Sequence, residues 1–154
     1  MKLYLGADHG GFELKQKLHG WLDQQGYVYE DCGAIEFDSE DDYPQYALAV
    51  AQKVAAEPQS RGILLCRSGG GMTIMANKVA GVRAVEATTV VAAAHAREHN
   101  NATIVTLSAD WTDFSTICEI LQTFVSTSFS SQERHHRRVS QIIAFEQSQE
   151  KGAL

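Results

Sequence analysis

Ile63, Leu64 and Leu65 form an unbroken apolar run that ends at Cys66. Arg67, Ser68 and three glycines follow before a helical pattern opens near Met72. A strand apolar on both faces belongs to a parallel sheet covered on both sides, because a sheet with one wet face alternates instead. The loop after it narrows the possibilities further. A glycine-rich turn between a strand end and a helix start leaves backbone N–H groups unpaired, and with the helix's positive end they form an anion site. A thiol beside such a site faces a polar cavity, and the dipole favours its thiolate. The stretch from Gly62 to Lys78 therefore offers a proton acceptor and a cradle for negative charge. The plain alternative is a strand–loop–helix connection with Cys66 packed as a small hydrophobe. The motif is neither a Walker loop, which needs Lys-Ser/Thr, nor Gly-x-Gly-x-x-Gly.

The rest of the chain repeats the alternation. Strands are expected at Lys2 to Gly6, Tyr27 to Cys32, Val82 to Glu86 and Thr103 to Leu107, each followed by a helical pattern. The first helix carries Leu14, Leu18, Trp21 and Leu22 on one stripe and closes at Gly26. The second starts near Tyr43, turns Tyr43, Tyr46, Val50 and Val54 inward and stops before Pro58. The helix after the glycine loop is short and reaches about Val79, closed by Asn77 and Lys78. Thr88 or Thr89 caps an alanine-rich helix to about His99. Asp110 and Thr112 are candidate caps for a helix buried through Phe114, Ile117, Leu121 and Phe124. Ser126 to Ser131 reads as a linker, and 133–149 as a final helix with Val139, Ile142 and Ile143 as its apolar stripe. Strands alternating with helices predict a single-domain α/β fold over residues 1–154. It would be a Rossmann-like three-layer α/β/α sandwich around a five-stranded parallel sheet.

Bulk properties exclude several function classes. A formal net charge of −6 argues against a nucleic-acid binder, whose affinity rests on neutralising phosphates. No apolar run approaches the length of a membrane span, and no secretory signal is visible, since a strand pattern begins at once. Cys32, Cys66 and Cys118 are odd in number and widely spaced, which points to a reducing compartment and a cytoplasmic protein.

Ligands in such sheets bind outside the carboxyl ends of the strands. Asp8 and His9 after the first strand, and Cys66 with its loop after the third, converge there. Taken alone, Asp8-His9 also reads as a helix cap and a surface histidine. His99 and Asn100 end a helix and fall at the opposite end of the sheet, unless the helix is short or the site belongs to a neighbouring subunit. His95 and His99 are one helical turn apart and could share a metal with a third ligand, whereas acid/base work by His99 needs none. Asp38 to Asp42 reads as a solvated acidic loop. In the tail, Arg134 and Arg138 share one helix face, a spacing that can either stay solvated or grip one phosphate.

The chain also contains Gly6-Ala-Asp8-His9-Gly-Gly-Phe-Glu-Leu-Lys15, Asp42-Tyr43-Pro44, Gly62-Ile-Leu-Leu-Cys66, Ser68-Gly69 and Ala76-Asn-Lys78. Further along come Gly81-Val-Arg83-Ala84, Arg97-Glu-His99-Asn100 and Arg134-His135 with Arg137-Arg138-Val139. In this order and spacing they resemble the ribose-5-phosphate isomerase type B / galactose-6-phosphate isomerase family across nearly the whole chain. The resemblance implies aldose–ketose isomerisation of a sugar phosphate, ribose 5-phosphate first, with neither metal nor cofactor. It implies Cys66 as the base, the backbone around Ser68, Gly69, Gly70 and Gly71 as enediolate holder, and His99 with Asp8 as ring-opening groups. His9, Arg134 and Arg138 would hold phosphate and Asn100 the sugar oxygens. Apart from the resemblance, Tyr43 and Arg67 are candidates to line the substrate; Arg67 could contact substrate or phosphate or could narrow the pocket, and its charge would favour the thiolate. Sites shared across a homodimer, or a dimer of dimers, are implied too. Arg67 stands where the family usually has glycine. Asp110 stands where the type B isomerase commonly has an arginine, and a carboxylate there would repel phosphate. Asn101-Ala102 is closer to the galactose-6-phosphate branch. Isomerases of galactose 6-phosphate or allose 6-phosphate, a sugar-phosphate binder without turnover, and a metal hydrolase using His95 and His99 are the alternatives.

Overall fold

The computed structural model describes residues 1–152, with side chains in the last helix as far as Gln149. Its elements in chain order are β1 (Lys2–Ala7), α1 (Phe12–Gln25), β2 (Val28–Asp31), α2 (Tyr43–Ala56), β3 (Arg61–Cys66) and α3 (Gly70–Ala76). They continue with β4 (Ala84–Glu86), α4 (Val90–Asn100), β5 (Ile104–Ser108), α5 (Phe114–Ser126) and α6 (Glu133–Gly152). The five strands form one parallel sheet in the order β2-β1-β3-β5-β4.

Alternation along each strand sends side chains to two cores. Leu3, Leu5, Ile63, Leu65, Val105 and Leu107 pack with α1, α4 and α5. Tyr4, Leu64, Cys66, Ala84 and Ile104 pack on the other face with α2 and α3. Leu64 and Leu65 are therefore both fully buried, on opposite faces, each contributing about 1.5–3 kcal/mol by leaving water. That double burial explains the unbroken apolar run.

Several expected boundaries move for local reasons. β4 starts at Ala84, not Val82, because the Val82 N–H closes a turn onto the Val79 carbonyl. β5 extends to Ser108, which is in register with Cys66. α3 stops at Ala76. Asn77 then turns its side-chain amide to Ala84, donating to the carbonyl and accepting from the N–H, both at 2.8 Å. Thr89 caps α4 by accepting from the Ala92 N–H. α5 is capped by Asp113, which accepts from the Thr116 N–H, not by Asp110 or Thr112. Phe114, at the start of that helix, is correspondingly 36% exposed and not in the core. The Ser/Thr-rich segment is pinned to α4, with the Ser130 N–H donating to Glu98 and Arg97 donating to the Thr127 carbonyl. No helix among the described residues is long and apolar enough to cross a membrane.

Candidate active site

β1 and β3 are neighbours, so the turn after Ala7 and the loop after Cys66 meet at the carboxyl edge of the sheet. Gly69 adopts φ 87°, a left-handed conformation that glycine takes without strain, and this folds the loop back over the strand end. The Gly69 N–H then donates to Cys66 Sγ at 3.1 Å. Gly70 and Gly71 open α3, and N–H groups in a first helical turn have no carbonyl of their own helix to meet. A Cβ on Gly71 would lie 2.8 Å from the Tyr43 ring, so the tyrosine rests directly on this loop. Tyr43 is 39% exposed, so the inward position read from helical spacing does not hold, and the ring stands against the glycine loop. Glu86, at the end of β4, leans on Gly69 from the far side, its Cγ 3.2 Å from where a Cβ would stand.

Cys66 is only 6% exposed. Burial pushes its thiol above the ordinary value. The Gly69 N–H works against that rise, the Asp8 charge reinforces it, and the Ser68 and Met72 N–H groups oppose it. The expectation of a resting thiolate is thus corrected, because withdrawal from water outweighs three amide donors and a two-turn helix. Arg67, expected to assist the thiolate, instead turns its guanidinium to Asp110 at 3.7 Å.

Asp8 is buried, which raises its pKa, while the Gly11 N–H bonded to it at 3.1 Å opposes the rise. A carboxyl group held in this way can carry a proton. His9 is held by Asp41, whose Oδ1 accepts from the His9 N–H at 2.9 Å and meets Nδ1 at 2.8 Å. This bond raises the pKa of His9 and favours its cation. Asp41 is itself withdrawn from water, yet its pKa is lowered because the His9 hydrogen bonds outweigh burial. The acidic loop is therefore not merely solvated: Asp41 is part of the site, and nothing in the local pattern of five acidic or polar residues singled it out.

The remaining candidates lie elsewhere. α4 runs back from the end of β4 to the start of β5, so His99 and Asn100 sit at the amino edge. They are a full strand length, about 13 Å at roughly 3.3 Å per residue, from the edge that holds Cys66. The His99 ring stacks on His95 at 4.6 Å and on His135 at 4.3 Å between centroids. His135, not singled out in the sequence, is 3% exposed with Nδ1 buried and unbonded. Burial lowers its pKa, and the charges of His99, Arg134 and Arg138 lower it further. Arg134 and Arg138 are exposed at the start of α6, beside a cleft of about 300 Å³ lined by Glu98, His99, Ser130 and His135. Among the described residues no group of three or more His, Cys, Asp or Glu side chains is disposed to hold a metal ion. One chain therefore presents two separate clusters: a thiol with its amide cradle beside Asp8 and His9, and a second group of histidines and arginines at the opposite edge.

Comparison with known proteins places these clusters in context. The family model described as Ribose/Galactose Isomerase matches residues 3–142. Ribose-5-phosphate isomerase B of Mycobacterium tuberculosis is 43% identical over 150 residues, covering 97% of this chain and 93% of the relative. A protein described as probable ribose-5-phosphate isomerase B in Mycoplasma pneumoniae is 38% identical, covering 94% of each chain. Among solved structures, ribose-5-phosphate isomerase B of Mycoplasma genitalium with bound ribulose-5-phosphate superposes with a TM-score of 0.91. It is 35% identical and covers 95% of this chain and 96% of its own. Type B ribose 5-phosphate isomerase of Trypanosoma cruzi gives 0.90 at 39% identity, over 96% and 99%.

Proposed function

The chain belongs to the ribose/galactose isomerase family, and from that membership we propose that it interconverts ribose 5-phosphate and ribulose 5-phosphate. It is an aldose–ketose isomerase. Cys66, in its thiolate form, removes the proton from C2 of the open aldose. The C–H electron pair becomes the C1=C2 bond of a cis-enediolate, and negative charge collects on O1. The Gly70 and Gly71 N–H groups face that charge, and such preorganised donors supply the largest part of the barrier lowering. The O2 hydroxyl proton passes to O1, and the same sulfur returns its proton to C1 as the O2 electron pair closes the C2 carbonyl, giving the ketose. Asp8 and His99 move protons between the ring oxygen and the C1 hydroxyl when the furanose opens. His9, Arg134 and Arg138 hold the phosphate, Asn100 holds the sugar oxygens, and Tyr43 covers the loop.

We read residues 1–154 as one isomerase domain that works as a homodimer, each site joining Cys66 of one copy with His99, Asn100 and the α6 arginines of the other. Two observations support this: the separation of the halves within one chain, and Ile142, Ile143 and Phe145 of α6, which are 45%, 38% and 65% exposed. Three free cysteines support a reducing, cytoplasmic setting.

The observation that carries the reading is the sulfur at the end of β3, bonded at 3.1 Å to a loop whose next amides are free to meet an oxyanion. A panel of pentose and hexose phosphates tests it, with solvent deuterium followed into the product. The expected result is turnover of ribose 5-phosphate with exchange at the transferred position, both lost in Cys66→Ala. Selective turnover of a hexose 6-phosphate, or binding without exchange, refutes it.

A further inference from the structure

The ladder between β3 and β5 does not stop where the strands end. The Ala109 N–H donates to the Cys66 carbonyl at 2.9 Å, and the Asp110 N–H to the Arg67 carbonyl at 3.2 Å. The Ser108 hydroxyl donates to that same Arg67 carbonyl and accepts from the Trp111 N–H at 3.0 Å. Two exits from the sheet are thereby held side by side, with Arg67 and Asp110 opposite one another. The side chain of Arg67 lies across Gly10, whose missing Cβ would stand 2.6 Å from Arg67 Cγ. Any other residue in that turn would displace it. The guanidinium consequently spans from the turn that carries Asp8 and His9 to Asp110 on the far side, where Nη1 is 3.7 Å from Oδ2.

This pair contributes little to stability. Its side chains are 66% and 43% exposed, and ion pairs so placed are worth ~1 kcal/mol at most. Its consequence is geometric. An arginine side chain extends from its backbone about as far as an open pentose phosphate extends from its reacting carbon to phosphorus. Arg67 follows the thiol residue directly, and its side chain leaves along Gly10, the neighbour of His9, the turn that the isomerase reading gives to the phosphate. Left to itself, a chain with four rotatable bonds would spread over many rotamers. Gly10 beneath it and Asp110 beyond it select one.

We infer that Asp110 is a positioning residue: it holds the Arg67 guanidinium where it binds the substrate's phosphate dianion, and so acts on that phosphate through Arg67. This deepens the isomerase reading and rests on it. It also reverses the simple expectation that a carboxylate at this place only repels phosphate.

A double-mutant cycle separates the two. Kinetics with ribose 5-phosphate are compared for wild type, Arg67→Gln, Asp110→Asn and the pair, alongside calorimetric binding of inorganic phosphate. Loss of a charge-assisted contact made equally in ground and transition states raises KM, here about tenfold for Arg67→Gln, with kcat within about twofold. Asp110→Asn is expected to raise KM about threefold by the same route, and Asp110→Glu to recover part of it. The double variant is expected to be no worse than Arg67→Gln alone, since a positioning group has nothing left to position. A fall in KM for Asp110→Asn, or effects that multiply independently, overturns the inference. Inactive wild type overturns the isomerase reading instead, and the phosphate titrations then still decide whether the two residues are coupled.

Discussion

Asp41→Asn isolates the charge of one buried carboxylate. The asparagine keeps an oxygen in the place of Oδ1, so both hydrogen bonds from His9, at 2.9 and 2.8 Å, retain an acceptor. Only the negative charge is lost. Hydrogen bonds to an ionised partner are roughly twice as strong as neutral ones, so the imidazolium loses about 1 kcal/mol of support. The outer edge of the His9 ring is 29% exposed, which argues for this lower figure. In the wild type the hydrogen bond to Asp41 raises the pKa of His9, so the cation survives to higher pH than on an ordinary imidazole and disappears as pH rises through that raised value. In the variant the cation disappears at lower pH. KM for ribose 5-phosphate is therefore expected to rise by up to about fivefold at pH above the histidine range, and the two enzymes to converge at acid pH, where both carry the charge. Steady-state kinetics across pH, with the His9 ring protons followed by NMR, make the comparison. If the His9 titration moves while the KM profile does not, His9 does not hold the phosphate.

Other substitutions probe the remaining parts. Cys66→Ala should lower kcat by about 10²–10⁴ with little change in KM, as measured by initial rates. Because burial raises the pKa of the thiol, the reactive thiolate grows with pH, so wild-type kcat/KM should climb through the alkaline range; a flat alkaline limb argues against a thiolate base. Mixing inactive Cys66→Ala and His99→Ala chains after reversible unfolding should restore about a quarter of wild-type activity, since half the dimers would be hybrids with one intact site each. No recovery would place each site within one chain. Lys15 is fully buried, with Nζ 2.6 Å from both Asp31 Oδ1 and the Ala34 carbonyl. Lys15→Met should therefore cost about 3 kcal/mol in denaturant unfolding, by leaving Asp31 without its cation.

Much of the architecture was legible because it is written in local periodicity. Runs such as Ile63-Leu64-Leu65 announce strands buried on both faces, and the stripe on α1 announces its core side. The thiol, the turn of Asp8 and His9, and the glycine loop were readable for the same reason: the ends of parallel strands share one edge. What escaped depends on contacts between segments distant in sequence. Asp41 lies among acidic residues that look alike until His9, 32 positions away, selects one of them. Helical spacing turned Tyr43 inward, and its contact with the loop, where a Cβ on Gly71 would lie 2.8 Å from the ring, is a tertiary one that spacing does not carry. The α5 cap falls on Asp113, three residues past Asp110, because its extended backbone lets its side chain reach the Thr116 N–H. The burial of Cys66, and with it the sign of its titration, follows from packing against the α2–α3 face that no strand pattern specifies.

That burial has a chemical corollary. Peroxides and alkylating agents attack thiolates that water can reach. The sulfur of Cys66 is sheathed by Leu64, Met72 and the folded loop, and at rest it keeps its hydrogen. Any oxidant must compete with a closed surface, while a sugar phosphate that opens the crevice arrives with the charge and contacts to do so. The base is thus quiet toward the solvent in general and available chiefly to the molecule it is built to process.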